Sequence, residues 1–127
     1  MQKEVVNTNE VFPPRGAYSH CVRAGNMLFI AGQVARDKDG QVVGLGDAEA
    51  QADQTMKNID ALLKAAGATW DNVVKLNVFL TDMRYREAVG TVRRKFTREP
   101  FPASTSVQVV SLADPELLVE IEATAVL

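Results

Sequence analysis

The sequence predicts an α+β domain, and three observations predict that class. Strand-like stretches with period-two alternation occur near the N-terminus, in the middle and at the C-terminus. Two stretches between them have apolar residues spaced three and four apart, which is typical of amphipathic helices. The resulting order, β-β-(β)-α-β-α-β-β, contains no internal repeat and no low-complexity linker.

Length, composition, net charge and cysteine count limit the class of protein further. The chain has 127 residues, of which 46% are hydrophobic and 24% charged, which predicts one domain over 1–127 with a real core. A net charge of −2 gives no general attraction to nucleic acid or an anionic membrane. The single cysteine excludes an intrachain disulfide and suits a reducing compartment. Without a signal-like or membrane-length apolar run, the expectation is a soluble cytoplasmic protein.

The first half of the chain predicts strands followed by a helix. Val5-Val6 suggests a short edge strand, and residues 17–23 and 27–35 are predicted as strands joined by the hairpin turn Gly25-Asn26. Asp47 is expected to begin a helix that Gly67 ends. The predicted buried stripe of this helix consists of Ala52, Met56, Ile59, Leu62, Leu63 and Ala66.

The middle of the chain predicts a strand and a second helix. In residues 73–81, Val74, Leu76, Val78 and Leu80 are expected on one face of the strand, with Val73 and Phe79 on the other. Asp82 is expected to cap the second helix, which Pro100 and Pro102 stop. Its predicted buried stripe consists of Ala88, Val89, Val92 and Phe96.

The C-terminal stretch predicts two strands joined by a turn, and it contains the clearest indication of a site. The strands are expected over 104–110 and 117–126, with the turn at Asp114-Pro115. Alternation directs Glu120 and Glu122 to one face of the last strand, about 7 Å apart. Ionised carboxylates among apolar residues usually have a partner or a function. The pair could position a water or a proton donor, or could form ion pairs with arginines of this or another subunit.

The remaining polar residues give weaker indications. His20 and Cys21 are neighbours on a strand, so they point to opposite faces and cannot form a catalytic dyad; structural roles are expected for both. One His and one Cys also make a zinc site of the usual ligand types improbable. The basic run from Arg93 to Lys95 is expected on a solvated helix face.

Two helices can cover one face of the sheet but not both. The opposite face retains apolar side chains, which normally meet a partner. A homo-oligomer packed through its sheets is therefore expected.

The chain resembles the YjgF/RidA family, also called the reactive intermediate deaminase or L-PSP family. The resemblance rests on three segments, which are GAYSHCVRAGNMLFIAGQVA, QTMKNIDALLKAAGATWDNVVKLNVFLTDM and FPASTSVQVVSLADPELLVEIEATAVL. It implies a chorismate-mutase-like fold, a mostly antiparallel sheet with two helices on one face, and a homotrimeric barrel with clefts between subunits. It also implies hydrolysis of enamines or imines to a carbonyl compound and ammonia, without metal or cofactor.

The resemblance assigns residues as well. Glu120 matches the catalytic glutamate that helps deliver water, Tyr18 matches a cleft tyrosine, and Ala31-Gly32-Gln33 matches a segment whose backbone contacts the ligand. Ser104 and Ser106 are also expected to contact the small-molecule ligand. The carboxylate-binding arginine of active members is replaced by Ser104.

A second departure is Gly90, which stands where many active members have an asparagine. The alternative function is a non-catalytic, ligand-binding or chaperone-like trimer that has lost the reaction. Arg93 could supply a substitute positive charge if the second helix faces the cleft.

Overall fold

The computed structural model describes residues 2–127 and contains one six-stranded sheet. The strands are β1 (Lys3–Val5), β2 (Cys21–Ala24), β3 (Met27–Val34), β4 (Val73–Leu80), β5 (Ala103–Gln108) and β6 (Val119–Val126). The helices are α1 (Ala48–Ala65) and α2 (Arg86–Arg93), and short 3₁₀ turns span Trp70–Asn72 and Met83–Tyr85. The predicted α+β class is confirmed.

The strand order is β1-β2-β3-β6-β4-β5, and every neighbouring pair except β4–β5 is antiparallel. The predicted edge strand and the Gly25-Asn26 hairpin are confirmed, with Gly25 at a φ of 62°. β5 and β6 follow each other in sequence but are not neighbours, because β4 lies between them. The last connection therefore crosses a strand instead of closing a hairpin.

Helix α1 begins where predicted, and its apolar stripe covers the sheet. Asp47 caps it by accepting a hydrogen bond from the Ala50 amide at 3.0 Å, and Gly67 follows its end at a φ of 75°. Both helices contact each other, and α1 packs on β3 and β6. The largest buried side chains of this layer are Leu28, Met56, Ile59, Leu62, Leu63, Leu76, Leu80 and Ile121. Two helices on one face of a mostly antiparallel sheet confirm the expected layers.

A bulge in β4 makes one expectation wrong. The register with β6 shifts between Val73 and Lys75, so Val73 is buried in the core and Val74 is 46% exposed. The alternation pattern predicted these two valines the other way round, because strict alternation does not allow for an extra residue in a strand. From Leu76 to Leu80 the predicted alternation is confirmed.

Four predicted boundaries are also wrong. Asp82 caps the 3₁₀ turn, with its carboxylate accepting from the Arg84 amide at 2.9 Å, and α2 begins only at Arg86. β2 begins at residue 21 rather than 17, because the preceding residues form a loop. β5 ends at Gln108 and β6 begins at Val119, so the connection between them is longer than a turn.

The face opposite the helices remains open. Val5, Phe29 and Val107 lie on it with 53%, 46% and 41% of their surfaces exposed. β6 alternates as predicted, with Val119, Ile121, Ala123 and Ala125 buried and the intervening residues partly exposed on the open face. Glu120 and Glu122 are therefore on the face without helices. Neither helix within residues 2–127 is long and apolar enough to cross a membrane.

Candidate active site

The two glutamates of β6 differ in their surroundings. Glu122 accepts a hydrogen bond from the Asn77 side-chain amide of β4 at 2.8 Å. Among residues 2–127, no group donates a hydrogen bond to the Glu120 carboxylate, and no arginine is within ion-pair distance of either glutamate. Glu122 is therefore satisfied inside the chain, whereas Glu120 is available for another molecule.

Glu120 lies directly over the backbone of Gly32. The register of β3 with β6 shifts between Ile30 and Gln33, and Gly32 lies in that irregular segment. A Cβ atom added at Gly32 would lie 2.7 Å from Cδ and 2.9 Å from Cγ of Glu120. Both distances are far below van der Waals contact. A glycine is thus required here by the close approach of the carboxylate.

The environment makes Glu120 easier to protonate than an ordinary glutamate. Burial in the protein raises the pKa of its carboxyl group above 4.5, and the nearby charge of Glu122 raises that pKa further. A carboxyl group of raised pKa exchanges protons more readily near neutral pH. This is the property that general acid–base chemistry needs.

A cavity of about 370 Å³ borders Glu120, and we call it the carboxylate pocket. It lies at the end of β3 and the start of β6, and residues of the loop before β2 form part of its lining. The lining residues most relevant to a ligand are Arg15, Tyr18, His20, Gly32, Gln33, Arg36, Asp114 and Glu120. Tyr18 and Gly32, which the resemblance assigns to the ligand cleft, line this pocket together with Glu120.

The wall of the carboxylate pocket is held by His20 and Gln33. His20 Nε2 donates to the Phe12 carbonyl at 2.6 Å, a tautomer assigned from its partners, and Gln33 Nε2 lies 3.1 Å from His20 Nδ1. Gln33 also donates to the Ala31 carbonyl at 3.0 Å. These bonds fix the backbone of residues 31–33 against the loop. Tyr18 packs edge-on against the His20 ring, with centroids 5.7 Å apart, and stays 52% exposed.

Several of these residues were not selected from the sequence as site residues. His20 was assigned a structural role, and its bond to Phe12 supports that role, yet its ring also lines the pocket. Arg36 forms an ion pair with Asp114 at the pocket edge. The two residues of this ion pair are 78 positions apart in the chain, so no local sequence pattern indicates the pair.

Cys21 is not a candidate nucleophile. Its side chain is fully buried on the core side of β2, and burial raises the pKa of its thiol from 9.0 to about 11. The thiol therefore stays protonated at neutral pH. Within residues 2–127, three or more His, Cys, Asp or Glu side chains are nowhere grouped so that they could hold a metal ion.

Ser104 and Ser106 lie in a different cavity. They pair with Leu76 and Val78 of β4, so their side chains are on the face that carries the helices, opposite to Glu120. With residues of α2 they line a groove of about 1100 Å³, which we call the arginine groove. Its charged lining residues are Arg84, Arg86, Glu87, Arg93 and Arg94. One chain does not bring the two serines to Glu120.

The fold and the carboxylate pocket define a class of small α+β protein with one open sheet face and a cleft that contains an unpaired glutamate among residues 2–127. Comparisons with known proteins identify the family. Residues 8–127 match the family model described as "Endoribonuclease L-PSP". The chain therefore belongs to this family, which includes the YjgF and RidA proteins, as its sequence segments predicted.

Named relatives agree with this membership. A RutC family protein of Pyrococcus horikoshii is 41% identical over 97% of both chains. The human 2-iminobutanoate/2-iminopropanoate deaminase is 35% identical, over 98% of this chain and 90% of its own. The crystal structure of RidA from an Antarctic Psychrobacter species has a TM-score of 0.92 at 34% identity, covering 98% of this chain and 99% of that one.

Proposed function

We propose that this protein is an enamine/imine deaminase whose catalytic residue is Glu120. The observation that supports this most is the Glu120 carboxyl group, which borders a pocket, lies against the bare backbone of Gly32 and accepts no hydrogen bond from residues 2–127. Family relatives that carry the name 2-iminobutanoate/2-iminopropanoate deaminase supply the reaction class. Loss of the reaction, the alternative function, has no support in the pocket or in these relatives.

The chemistry requires one water molecule and one carboxyl group. An enamine first takes a proton on carbon and loses one from nitrogen, which gives the imine. Water then adds to the imine carbon while the Glu120 carboxylate accepts a proton from it. The carboxyl group returns that proton to nitrogen, which gives the carbinolamine. The hydroxyl proton then moves through the Glu120 carboxylate to nitrogen, the carbon–nitrogen bond breaks, and ammonia leaves as the carbonyl forms. The raised pKa of Glu120 suits these proton transfers.

The same proposal includes a homotrimer with clefts between subunits. Glu120, Tyr18 and the backbone of Ala31 and Gly32 would form one wall of each cleft. Ser104 and Ser106 face the other side of the sheet and would come from the neighbouring subunit. The exposed apolar residues of the open face support association through the sheets. Sedimentation at micromolar concentration should give three times the monomer mass of 13.8 kDa, and a monomer would contradict the assembly.

The activity test uses a pyridoxal-phosphate dehydratase to generate 2-aminoacrylate, together with an amino-acid oxidase to generate larger imines. We expect wild type to accelerate imine loss and Glu120→Gln to lower that rate at least roughly a hundredfold, as for other acid–base residues. Ser104→Arg should raise the rate on 2-aminoacrylate, because wild type has no arginine at this position for its carboxylate. Imine turnover that is equal in wild type and Glu120→Gln would remove Glu120 from the mechanism.

A further inference from the structure

The arginine groove lies between α2 and β5, at the edge of the sheet. Its walls are side chains of the helix, and the hydroxyl-bearing residues Ser104 and Ser106 form part of the strand side. Gly90 contributes no side chain to the helix wall, and a Cβ atom there would meet only Arg94 Nη1, at 3.7 Å. The groove is thus open to a ligand and polar on both walls.

Most arginines of the chain have a partner, and those without one are clustered. Arg36, Arg84 and Arg98 form ion pairs with aspartates. Arg15 stacks over the Phe12 ring, and Arg23 donates to the Gly25 carbonyl. Within residues 2–127, three arginine side chains have no hydrogen bond, ion pair or aromatic partner. These three, Arg86, Arg93 and Arg94, all line the arginine groove.

Arg93 has the least favourable position of the three. It is half-buried, and burial lowers the pKa of its guanidinium, as do the charges of Arg86 and Arg94. Glu87 is the one carboxylate among the lining residues, and it pairs with none of them. Clustered like charges without a counter-ion destabilise a fold, so this arrangement is explained best by an anion that binds between them.

The number of charges indicates the kind of anion. Guanidinium groups bind carboxylate or phosphate oxygens through two parallel N–H bonds, and serine hydroxyls can donate further bonds to the same oxygens. Asp82 neutralises Arg84, so this arginine is left out of the balance. The three unpaired arginines of the groove and its one glutamate then leave an excess of two positive charges. A group with two negative charges, or two separate carboxylates, balances this excess better than one carboxylate does.

We propose that Arg93, assisted by Arg86 and Arg94, forms a binding site for a dianionic ligand in the arginine groove. This inference rests on the proposed function in one respect: the ligand would be a doubly charged imino acid, such as the imine of a 2-oxo dicarboxylic acid or of a phosphate-bearing oxo acid. An enzyme that oxidises an acidic amino acid would supply such an imine. Arg93 would then replace, from the helix, the charge that Ser104 does not provide from the strand.

The test uses stable product analogues, so it does not depend on turnover. Titration calorimetry would compare 2-oxobutanoate, which has one carboxylate, with 2-oxoglutarate, which has two, and with inorganic phosphate. We expect 2-oxoglutarate or phosphate to bind about tenfold tighter than 2-oxobutanoate, the difference that one charge-assisted contact makes. Tighter binding of 2-oxoglutarate would indicate a dicarboxylate ligand, and tighter binding of phosphate would indicate a phosphate-bearing one.

Variants then assign the site. Arg93→Ala should lower dianion affinity about tenfold or more. Arg93→Lys keeps the charge near the end of α2 but not the planar fork, so it should recover only part of the affinity. Arg98→Ala, which removes an arginine outside the groove, should leave affinity unchanged, and Arg86→Ala gives an exposed second variant within it. Circular dichroism and melting curves verify folding.

The outcomes separate this inference from the proposed function. If neither dianion binds tighter than 2-oxobutanoate, or if Arg93→Ala and Arg86→Ala bind dianions as wild type does, the anion site is wrong. Glu120-dependent imine hydrolysis in the same preparation would then leave the proposed function standing. If dianions bind through Arg93 but no imine is hydrolysed, the anion site holds and the deaminase proposal fails.

Discussion

Glu120 in the carboxylate pocket and Arg93 in the arginine groove have opposite charges, and both lack a counter-ion. Among the residues that the structure describes, no cation or hydrogen-bond donor pairs with Glu120, and the pKa of its carboxyl group is raised. In the same part of the chain no carboxylate pairs with Arg93, and the pKa of its guanidinium group is lowered. Each charge is disfavoured where it stands. The carboxylate pocket and the arginine groove share no lining residue, and the sheet separates Glu120 from Ser104 and Ser106.

The difference suggests that one chain contains two halves of a site instead of two sites. An isolated chain cannot close the distance, because side chains on opposite faces of a strand pair do not converge. A ring of identical chains can, because a heterologous contact places different surfaces of neighbouring copies together. An anionic ligand held by the arginine groove of one copy would then lie against the carboxylate pocket of the next.

The largest effect is expected from an experiment that combines two inactive variants. It tests whether the pocket of one subunit meets the groove of the next. Glu120→Gln and Arg93→Ala are each expected to lose most activity on a doubly charged imine. Co-expression should restore roughly a quarter of the wild-type activity, because that share of the clefts in randomly mixed trimers would contain both native side chains. Turnover of the separated, mixed assemblies is the measurement. Co-expression of the double variant with Glu120→Gln is the control and should restore nothing.

If the two side chains acted within one chain, mixing the single variants would give no more activity than their average. That result would show that the pocket and the groove do not meet across a subunit boundary.

A smaller effect is expected from Gly32→Ala, which tests the pocket alone. The added methyl group would displace the Glu120 carboxyl group from the β3 backbone, because the new Cβ would lie only 2.7 Å from its Cδ. We expect the rate of imine hydrolysis to fall about tenfold or more, as misplacement of a catalytic group does. Dianion binding in the groove should change less than the rate.

Gly16→Ala is the matched control for that variant. Its added Cβ would meet the Tyr18 ring of the same pocket at 3.6 Å, an ordinary contact. Equal rates for the two alanine variants would show that the position of Glu120 over Gly32 has no consequence for activity.

The smallest expected effect is a shift of the pH profile in Glu122→Gln. Glu120 must be ionised to accept a proton, so activity should fall on the acid side around its pKa, which lies above 4.5. Removing the Glu122 charge lowers that pKa, so the acid limb should move to lower pH. The other ionisable groups of the pocket stay in place in this variant; they are Arg15, Tyr18, His20, Arg36 and Asp114.

Glutamine can still accept the Asn77 hydrogen bond, so the fold should be retained. The kcat/KM profile over the acid and neutral range is the measurement. An acid limb that stays in place or moves to higher pH would contradict the electrostatic coupling between Glu120 and Glu122.

Local patterns in the sequence were sufficient for the elements that local forces determine. Asp47 caps α1, Gly25-Asn26 turns the hairpin, and the alternation of β6 directs Glu120 to the open face. Each depends on backbone geometry or side-chain periodicity over a few residues. Apart from the local boundaries of α2 and β2, the wrong expectations arose where distant strands interact. The β4 bulge reverses Val73 and Val74, and β4 separates β5 from β6.

The sequence by itself therefore determined the α+β class, the family and the choice of Glu120 as the leading acidic residue. Only the tertiary structure decided that Glu120 rests on Gly32, that Ser104 and Ser106 lie on the other face, and that Arg86, Arg93 and Arg94 are unpaired in one groove. The physical reason is that periodicity determines which way a side chain points along its own element. Which charges it meets depends on strands and helices that are far apart in the chain.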